Sequence, residues 1–373
     1  MTTLADPAVE HAAADRVERA LAGHQDFGRS GPIARRVVAR YEFLVDLLVA
    51  RLPGLAAPAA ELRADRDRWE RLVLADPVVK RTLEDAVVRL ELDEPIDELP
   101  RVFALAAGRP AARPDLPPTR AEEADGAGDG IWVPRMRAGS GPLTDRMDAA
   151  FRGEFLTYDD KSGTVYAGDP ATARRLEPAA ELLRELLPVL GPDVLGHVAA
   201  VVLVDAAGPR GRLLSASGGD GLPGVVALAP SQLADPWDTA GRLLHEGLHL
   251  KLFDVMRCFS LVADPSASAT MPWRDVPWDL QRVLAAFHVY SHMVLYGTAV
   301  RRHRGRLADR FGEPGERAAV SHSTGGRPGF DDAAARARHL GEELAGPLAR
   351  YLTPDGRRLV RWLRLVTAPL TGA

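Results

Sequence analysis

A chain of 373 residues, of which 46% are apolar, can bury one large core or two smaller ones, which excludes a disordered protein. Its 47 Lys and Arg against 51 Asp and Glu give a net charge of −4, without the basic excess of nucleic-acid-binding proteins. Cys258 is the only cysteine and the chain has no Asn, which excludes internal disulfides and N-linked glycans. The longest apolar run, residues 198–204, is too short to span a bilayer. We therefore expect a globular cytoplasmic protein that binds neither nucleic acid nor a membrane.

The first part of the chain has apolar residues at helical spacing, as in Val37, Tyr41, Leu44 and Leu48. This pattern predicts a helical N-terminal region over residues 1–108. Pro, Gly, Ala and Asp then dominate the composition, most densely in residues 125–130. Such a composition is typical of connecting segments, and we predict a linker or mobile loop over residues 109–145.

Residues 146–373 form the third predicted region. A helical segment at about 170–190 precedes three short strand-like runs, 198–204, 212–217 and 225–229, which Gly and Pro separate as hairpin turns require. Two long helices follow at about 237–256 and 278–302, and residues 331–365 predict two more. We therefore expect a predominantly helical α+β fold, with an N-terminal helical bundle and a small antiparallel sheet packed beside the first long helix.

The strongest chemical signal is the stretch His245-Glu246-Gly247-Leu248-His249 in the first long helix. Two histidines four residues apart on a helix differ by ~40° in direction and lie one turn apart, so both imidazoles can reach one ion. Tight binding requires a third ligand. His288 of the second long helix is our first choice and His292 the alternative, because the two share one helix face. These residues make 146–373 the predicted metal-binding catalytic domain.

Three stretches resemble a bacterial family known by its HExxH domain, found beside genes for ribosomally made, post-translationally modified peptides. They are Ser215-Ala216-Ser217 through Pro223-Gly224-Val225-Val226-Ala227-Leu228, then Leu244-His245-Glu246-Gly247-Leu248-His249-Leu250-Lys251-Leu252, and Pro272-Trp273-Arg274-Asp275-Val276-Pro277. The order of strands, motif helix and second helix is also similar to that of zincin metallopeptidases. Members of the HExxH family are understood as iron(II)- and 2-oxoglutarate-dependent peptide β-hydroxylases. The resemblance therefore implies hydroxylation, at the β-carbon of a side chain, of a ribosomally made peptide that can carry a leader segment.

The same resemblance implies roles for individual residues. His245 and His249 would ligate Fe(II), and Arg274 would pair with the distal carboxylate of 2-oxoglutarate through two parallel hydrogen bonds. An alternative role for Arg274 is an ion pair with Asp275 or a helix cap. Many relatives carry a histidine early in the second helix, where this chain has Val283-Leu284-Ala285-Ala286 and then His288 one turn later.

The substrate cleft is the last part of this prediction. We expect it to be lined by Ser217 and Val225 from the strand-like runs and by Tyr290 from the second long helix. Tyr290 is an aromatic residue that could equally fill a core.

Two other functions use the same residues. A zinc metallopeptidase would hold Zn²⁺ on His245 and His249 and use Glu246 as the general base that deprotonates water. A non-catalytic peptide-binding protein would have lost the metal site and would bind a leader peptide or carrier protein through its N-terminal bundle. Metal content separates the third possibility from the two enzymes.

Overall fold

The computed structural model describes residues 7–96, 98–107, 142–156, 162–166, 170–208, 211–219, 221–273, 276–315, 330 and 332–371. These residues are mostly helical, with a small mixed sheet and a two-stranded ribbon, which confirms the predicted α+β class. They form two compact units. Unit 1 consists of Met1–Ile33, Pro178–Leu195 and Asp235–Ala373, and unit 2 of Ala34–Glu177 and Gly196–Ala234.

The helices and strands of the described residues are numbered in chain order. The helices are α1 (Pro7–Gly23), α2 (Ser30–Arg51), α3 (Ala56–Ala64), α4 (Arg66–Ala75), α5 (Pro77–Glu91), α6 (Glu98–Ala107), α7 (Pro142–Ala150), α8 (Pro170–Leu186), α9 (Leu190–Leu195), α10 (Pro236–Cys258), α11 (Leu280–Phe311), α12 (Ala333–Ala345) and α13 (Pro354–Thr371). The strands are β1 (Ser162–Tyr166), β2 (Ala200–Gly208), β3 (Gly211–Arg212), β4 (Ser215–Ser217), β5 (Val225–Leu228), β6 (Ser268–Ala269) and β7 (Trp278–Asp279).

The predicted domain boundaries at 108/109 and 145/146 differ from the division into units. α1 belongs to unit 1 together with α10 and α11, whereas α3 to α6 belong to unit 2 together with the larger sheet. The linker predicted over residues 109–145 lies almost wholly outside the described residues and stays a prediction.

The larger sheet of unit 2 has the order β1-β2-β5-β4, with β3 paired to β2. β2 is antiparallel to β1 and β3 but parallel to β5, with Ala200 opposite Val225. The predicted small antiparallel sheet is therefore a mixed sheet, in which the parallel pair of β2 and β5 differs from the prediction. All four residues of β5 are buried, and a strand covered on both faces suits an interior position with a parallel neighbour. β4 pairs with β5 antiparallel and forms an edge.

Unit 1 is built around α11, which packs against α1, α10, α12 and α13. By length and composition alone α11 could cross a membrane, but its most apolar 18-residue window is completely buried within the protein. That burial is typical of the core helix of a soluble protein. α11 begins after Asp279, whose carboxylate accepts a hydrogen bond of 2.7 Å from the backbone N–H of Arg282.

The start of α10 and its contact with α11 are both fixed by hydrogen bonds. Asp235 caps α10 by accepting from the backbone N–H of Trp237 at 2.8 Å, and Pro236 occupies the first helical position. The buried Tyr296 hydroxyl of α11 donates to the Trp237 carbonyl at 2.7 Å. These contacts set the register of α10 against α11, and that register decides which α11 side chains face the histidine motif.

A buried ion pair joins α10 to α9 and to the turn before α2. The Lys251 ammonium, 0% exposed, contacts the Asp193 carboxylate and donates to the Gly28 carbonyl. Asp193 also accepts a 2.9 Å hydrogen bond from the Ser30 backbone N–H. Burial alone would raise the pKa of Asp193, but the Lys251 charge and the hydrogen bonds together lower it. Burial lowers the pKa of Lys251, and the pairing with Asp193 offsets only part of that effect.

Candidate metal centre

One turn of α10 brings three ligand-bearing side chains together. One ligand atom from each of His245, Glu246 and His249 lies within 4.8 Å of the other two. The two imidazole ring centres are 5.1 Å apart, with their planes at 68°. Glu246 is buried, with 5% of its surface exposed, and both histidines are half-buried. We call these three residues the metal triad.

The metal triad fits a divalent transition-metal ion by the chemistry of its donors. Two imidazoles and one carboxylate with coordination positions left open are the donor set of non-haem Fe(II) oxygenases, and the same donors also suit zinc. Burial, followed by the Arg282 charge, lowers the pKa of His249 to about 4. Its imidazole is therefore neutral near pH 7, the form in which histidine ligates metals.

α11 closes one side of the metal triad with Tyr290. The Tyr290 ring lies edge-on to the His245 ring, with 6.4 Å between centres and 76° between planes. Tyr290 is 8% exposed, so it forms a wall of the site with little contact with solvent. The structure thus places the predicted cleft residue Tyr290 directly beside a predicted metal ligand.

Arg336 of α12 holds Tyr290 in this position. The guanidinium, on a side chain that is 0% exposed, donates to the Tyr290 hydroxyl at 2.9 Å and to the Phe330 carbonyl at 2.8 Å. It also lies 5.3 Å from the ring centres of both Trp273 and Tyr290. A planar cation between two aromatic rings restrains the Tyr290 side chain at its hydroxyl end.

The structure brings neither His288 nor His292 to the metal triad, which is the one group of three His, Cys, Asp or Glu side chains found at ligating distances in the described residues. A third histidine ligand therefore stays a prediction. Tyr290 faces His245, and a residue two positions away on a helix points ~200° around the axis. His288 and His292 therefore share a different, buried face of α11, where their ring centres are 4.5 Å apart.

His292 has structural contacts on that face. Its Nδ1 lies 2.7 Å from the His288 carbonyl oxygen, so Nδ1 carries the proton and donates it. Burial lowers the pKa of His292 to about 4, and the charges of Lys251 and Asp193 also act on it. The ring is a neutral component of the core of unit 1.

No protein-family model matches the chain, and no curated protein matches it. The metal triad is therefore interpreted from its own residues and their contacts.

The other predicted site residues fall in three places. Arg274 lies outside the described residues, so its pairing with a co-substrate carboxylate stays a prediction. Ser217 on β4 is half-buried and Val225 on β5 is buried, and both belong to unit 2, whereas the metal triad belongs to unit 1. Their place in a substrate cleft also stays a prediction.

Sequence reasoning missed two arginines of this region, Arg282 and Arg336. Arg282 lies in the first turn of α11, is exposed, stacks on the Trp278 ring at 4.8 Å, and acts electrostatically on His249. Arg282 could have been found from the sequence, because it is a positively charged residue at the start of the second long helix, which we expected to pack beside the motif helix. Arg336 has no such signal, since its environment is assembled from residues 46 and 63 positions earlier in the chain, Tyr290 and Trp273.

Proposed function

We propose that this protein is an Fe(II)- and 2-oxoglutarate-dependent enzyme that hydroxylates the β-carbon of a side chain in a ribosomally made peptide. The observation that carries the proposal is the metal triad, because it combines two imidazoles with one buried carboxylate in a single group. The resemblance of residues 215–228, 244–252 and 272–277 to the HExxH family supports the same chemistry.

In this proposal His245, Glu246 and His249 hold the iron. Bound iron would supply the activation of dioxygen, with 2-oxoglutarate as the reductant. One oxygen atom enters the peptide as a hydroxyl group, and the other enters succinate as 2-oxoglutarate loses carbon dioxide. The task of the protein is to hold the co-substrate and to exclude water, and Tyr290 serves the second purpose as a nearly buried wall beside His245.

Arg282 is the described cation that we assign to the distal carboxylate of 2-oxoglutarate. Its side chain is exposed, and its charge reaches His249 of the metal triad. A guanidinium can grip a carboxylate through two parallel hydrogen bonds, and its position on the Trp278 ring limits its rotation. Arg274 remains the alternative for this contact.

The proposed activity is tested by mass spectrometry on a peptide substrate encoded beside the gene. We expect a gain of one oxygen atom, a shift of ~16 mass units, that requires ferrous iron, 2-oxoglutarate and dioxygen together, with succinate formed in equal amount. Cleavage of the peptide, or hydroxylation that continues without 2-oxoglutarate, would contradict the proposal. Arg282→Met should raise the KM for 2-oxoglutarate more than it lowers kcat, whereas Arg301→Met, an exposed change further along α11, should leave both unchanged.

A zinc metallopeptidase is the second candidate, favoured by the position of Glu246. Its carboxylate lies within 4.8 Å of a ligand atom of each histidine, where a general base for hydrolysis would stand. The assay above separates the two candidates, since a peptidase would cleave the peptide with zinc alone. A purified protein without stoichiometric iron or zinc would instead support the non-catalytic peptide-binding alternative.

We place the protein in the cytoplasm. Its single cysteine, Cys258, cannot form an internal disulfide, and reduced thiols are the rule in that compartment.

A further inference from the structure

A groove between α12 and α13 shares no residue with the metal triad. It encloses a cavity of about 430 Å³, within the size range of ligand sites, and its floor includes Phe287 of α11. We call it the α12–α13 groove. All of its lining residues belong to unit 1.

Small residues form much of the apolar lining of the α12–α13 groove. α12 contributes Ala337, Gly341 and Ala345 to this lining, and α13 contributes Val360 and Ala368. A Cβ atom added at Gly341 would lie 3.0 Å from the Phe287 ring and 3.2 Å from the Arg364 side chain, so a larger residue there would crowd both. The small side chains leave the cavity open.

The rim of the groove is strongly basic. Arg338, Arg357, Arg361 and Arg364 line it, and Glu342 is the one acidic residue among the lining residues. Arg338 donates to the Thr371 carbonyl and Arg357 to the Leu352 carbonyl, contacts that leave their positive charges unneutralised. In the part of the chain that the structure describes, Arg361 and Arg364 have no ion pair, and both are exposed.

An exposed leucine completes the rim. Leu365 follows Arg364 on α13 and is 71% exposed, far more than is usual for a large apolar side chain beside an apolar cavity. A surface that combines a small apolar cavity, an exposed leucine and a surplus of guanidinium groups complements a segment with apolar and acidic side chains.

We propose that the α12–α13 groove binds an acidic peptide segment. An apolar side chain of the segment enters the cavity above Phe287, and carboxylates of the segment pair with Arg361 and Arg364. The inference does not depend on the metal chemistry, since no groove residue belongs to the metal triad.

Fluorescence anisotropy tests this inference on the full chain. The probe is a labelled helical peptide in which turns rich in Glu alternate with turns rich in Leu. The comparison peptide has Lys in place of every Glu. We expect the acidic peptide to bind, the basic peptide to bind at least about tenfold more weakly, and binding of the acidic peptide to weaken about tenfold in 0.5 M salt.

Charge reversal locates the binding site. The double variant R361E/R364E should lose about tenfold or more in affinity for the acidic peptide. The matched control R174E/R175E reverses two exposed arginines of α8 and should bind like the parent protein. All four side chains are exposed, so both variants should retain the parent's circular dichroism spectrum.

Several results would overturn the inference. They are equal affinity of R361E/R364E and the parent protein for the acidic peptide, equal affinity of the parent for the two peptides, and no binding of the acidic peptide at 100 μM. Self-association of the parent protein without peptide binding would identify a second copy of the chain as the occupant, and would overturn the inference in the same way.

Discussion

Among the single residues, Glu246 decides whether the metal triad suits an iron-dependent oxygenase or a zinc peptidase. As a third ligand its carboxylate contributes negative charge to the ion, whereas as a general base it would act on water without holding the metal. We expect Glu246→Gln to weaken Fe(II) binding at least about tenfold, because a neutral amide oxygen is a poorer donor to a cation than a carboxylate. Anaerobic titration of the metal-free protein with Fe(II) measures this affinity.

The control for that substitution is Glu313→Gln, an exposed change just after α11. It should bind iron like the parent protein. If Glu246→Gln also binds metal like the parent but loses peptide cleavage, the carboxylate is a base, and the peptidase becomes the better account of the site.

Arg336 acts on the site through Tyr290 and is a positioning residue. Replacing it with Met keeps a long side chain but removes the donors to the Tyr290 hydroxyl and the Phe330 carbonyl. Leaving an acceptor without its donor costs about 1–3 kcal/mol, so for the two acceptors we expect a loss of about 2–6 kcal/mol in the free energy of unfolding. Urea unfolding measures the loss, and Arg175→Met, at an exposed arginine of α8, should change it by less than about 0.5 kcal/mol. An Arg336→Met protein as stable as the parent would show that Arg336 does not support the site.

Sequence alone could predict the histidine pair of the metal triad but not its neighbours. His245 and His249 have a spacing that forces two imidazoles onto one helix face, and no tertiary information is needed. His288 and His292 have the same spacing, but the spacing alone does not show whether they face the motif, because the rotation of α11 about its own axis depends on packing. Tyr290, placed between them, reaches His245.

Among the contacts between elements, the ion pair of Lys251 and Asp193 joins α10 to α9. Asp193→Asn leaves a fully buried ammonium without its charge partner, which we expect to lower the free energy of unfolding by about 3–5 kcal/mol. Urea unfolding again measures the change. The double variant Asp193→Leu with Lys251→Met removes both charges and should recover most of the loss. A single variant no less stable than the parent would show that the pair is not needed to join these helices.

Elements with local signals were predicted well, and pairings between elements were not. Sequence analysis predicted a long helix at about 237–256, and the structure places α10 at Pro236–Cys258. The three strand-like runs were also found, but their pairing was predicted from neighbourhood in the chain. β5 instead pairs in parallel with β2. Both faces of β5 are buried, which suits an interior position in the sheet, and that burial arises only when the whole unit has folded.

At the scale of the whole molecule, each unit gathers segments that are far apart in the chain. Unit 1 joins Met1–Ile33 and Pro178–Leu195 to Asp235–Ala373. A change of composition along the chain can predict a boundary between contiguous domains, but it contains no information on segments that return to an earlier unit. The contacts of α1 with α11 and α13 are of this kind, and they place an N-terminal helix in the unit that contains the metal triad.

His245 and His249 are proposed to bind one metal ion together, and the metal content of the purified protein measures whether they do. The parent protein should contain about one equivalent of iron or zinc after reconstitution and desalting. His245→Ala and His249→Ala should each contain almost none while keeping the parent's circular dichroism spectrum, whereas His197→Ala, in unit 2, should retain the parent's content. Full metal content in both His245→Ala and His249→Ala would contradict the account.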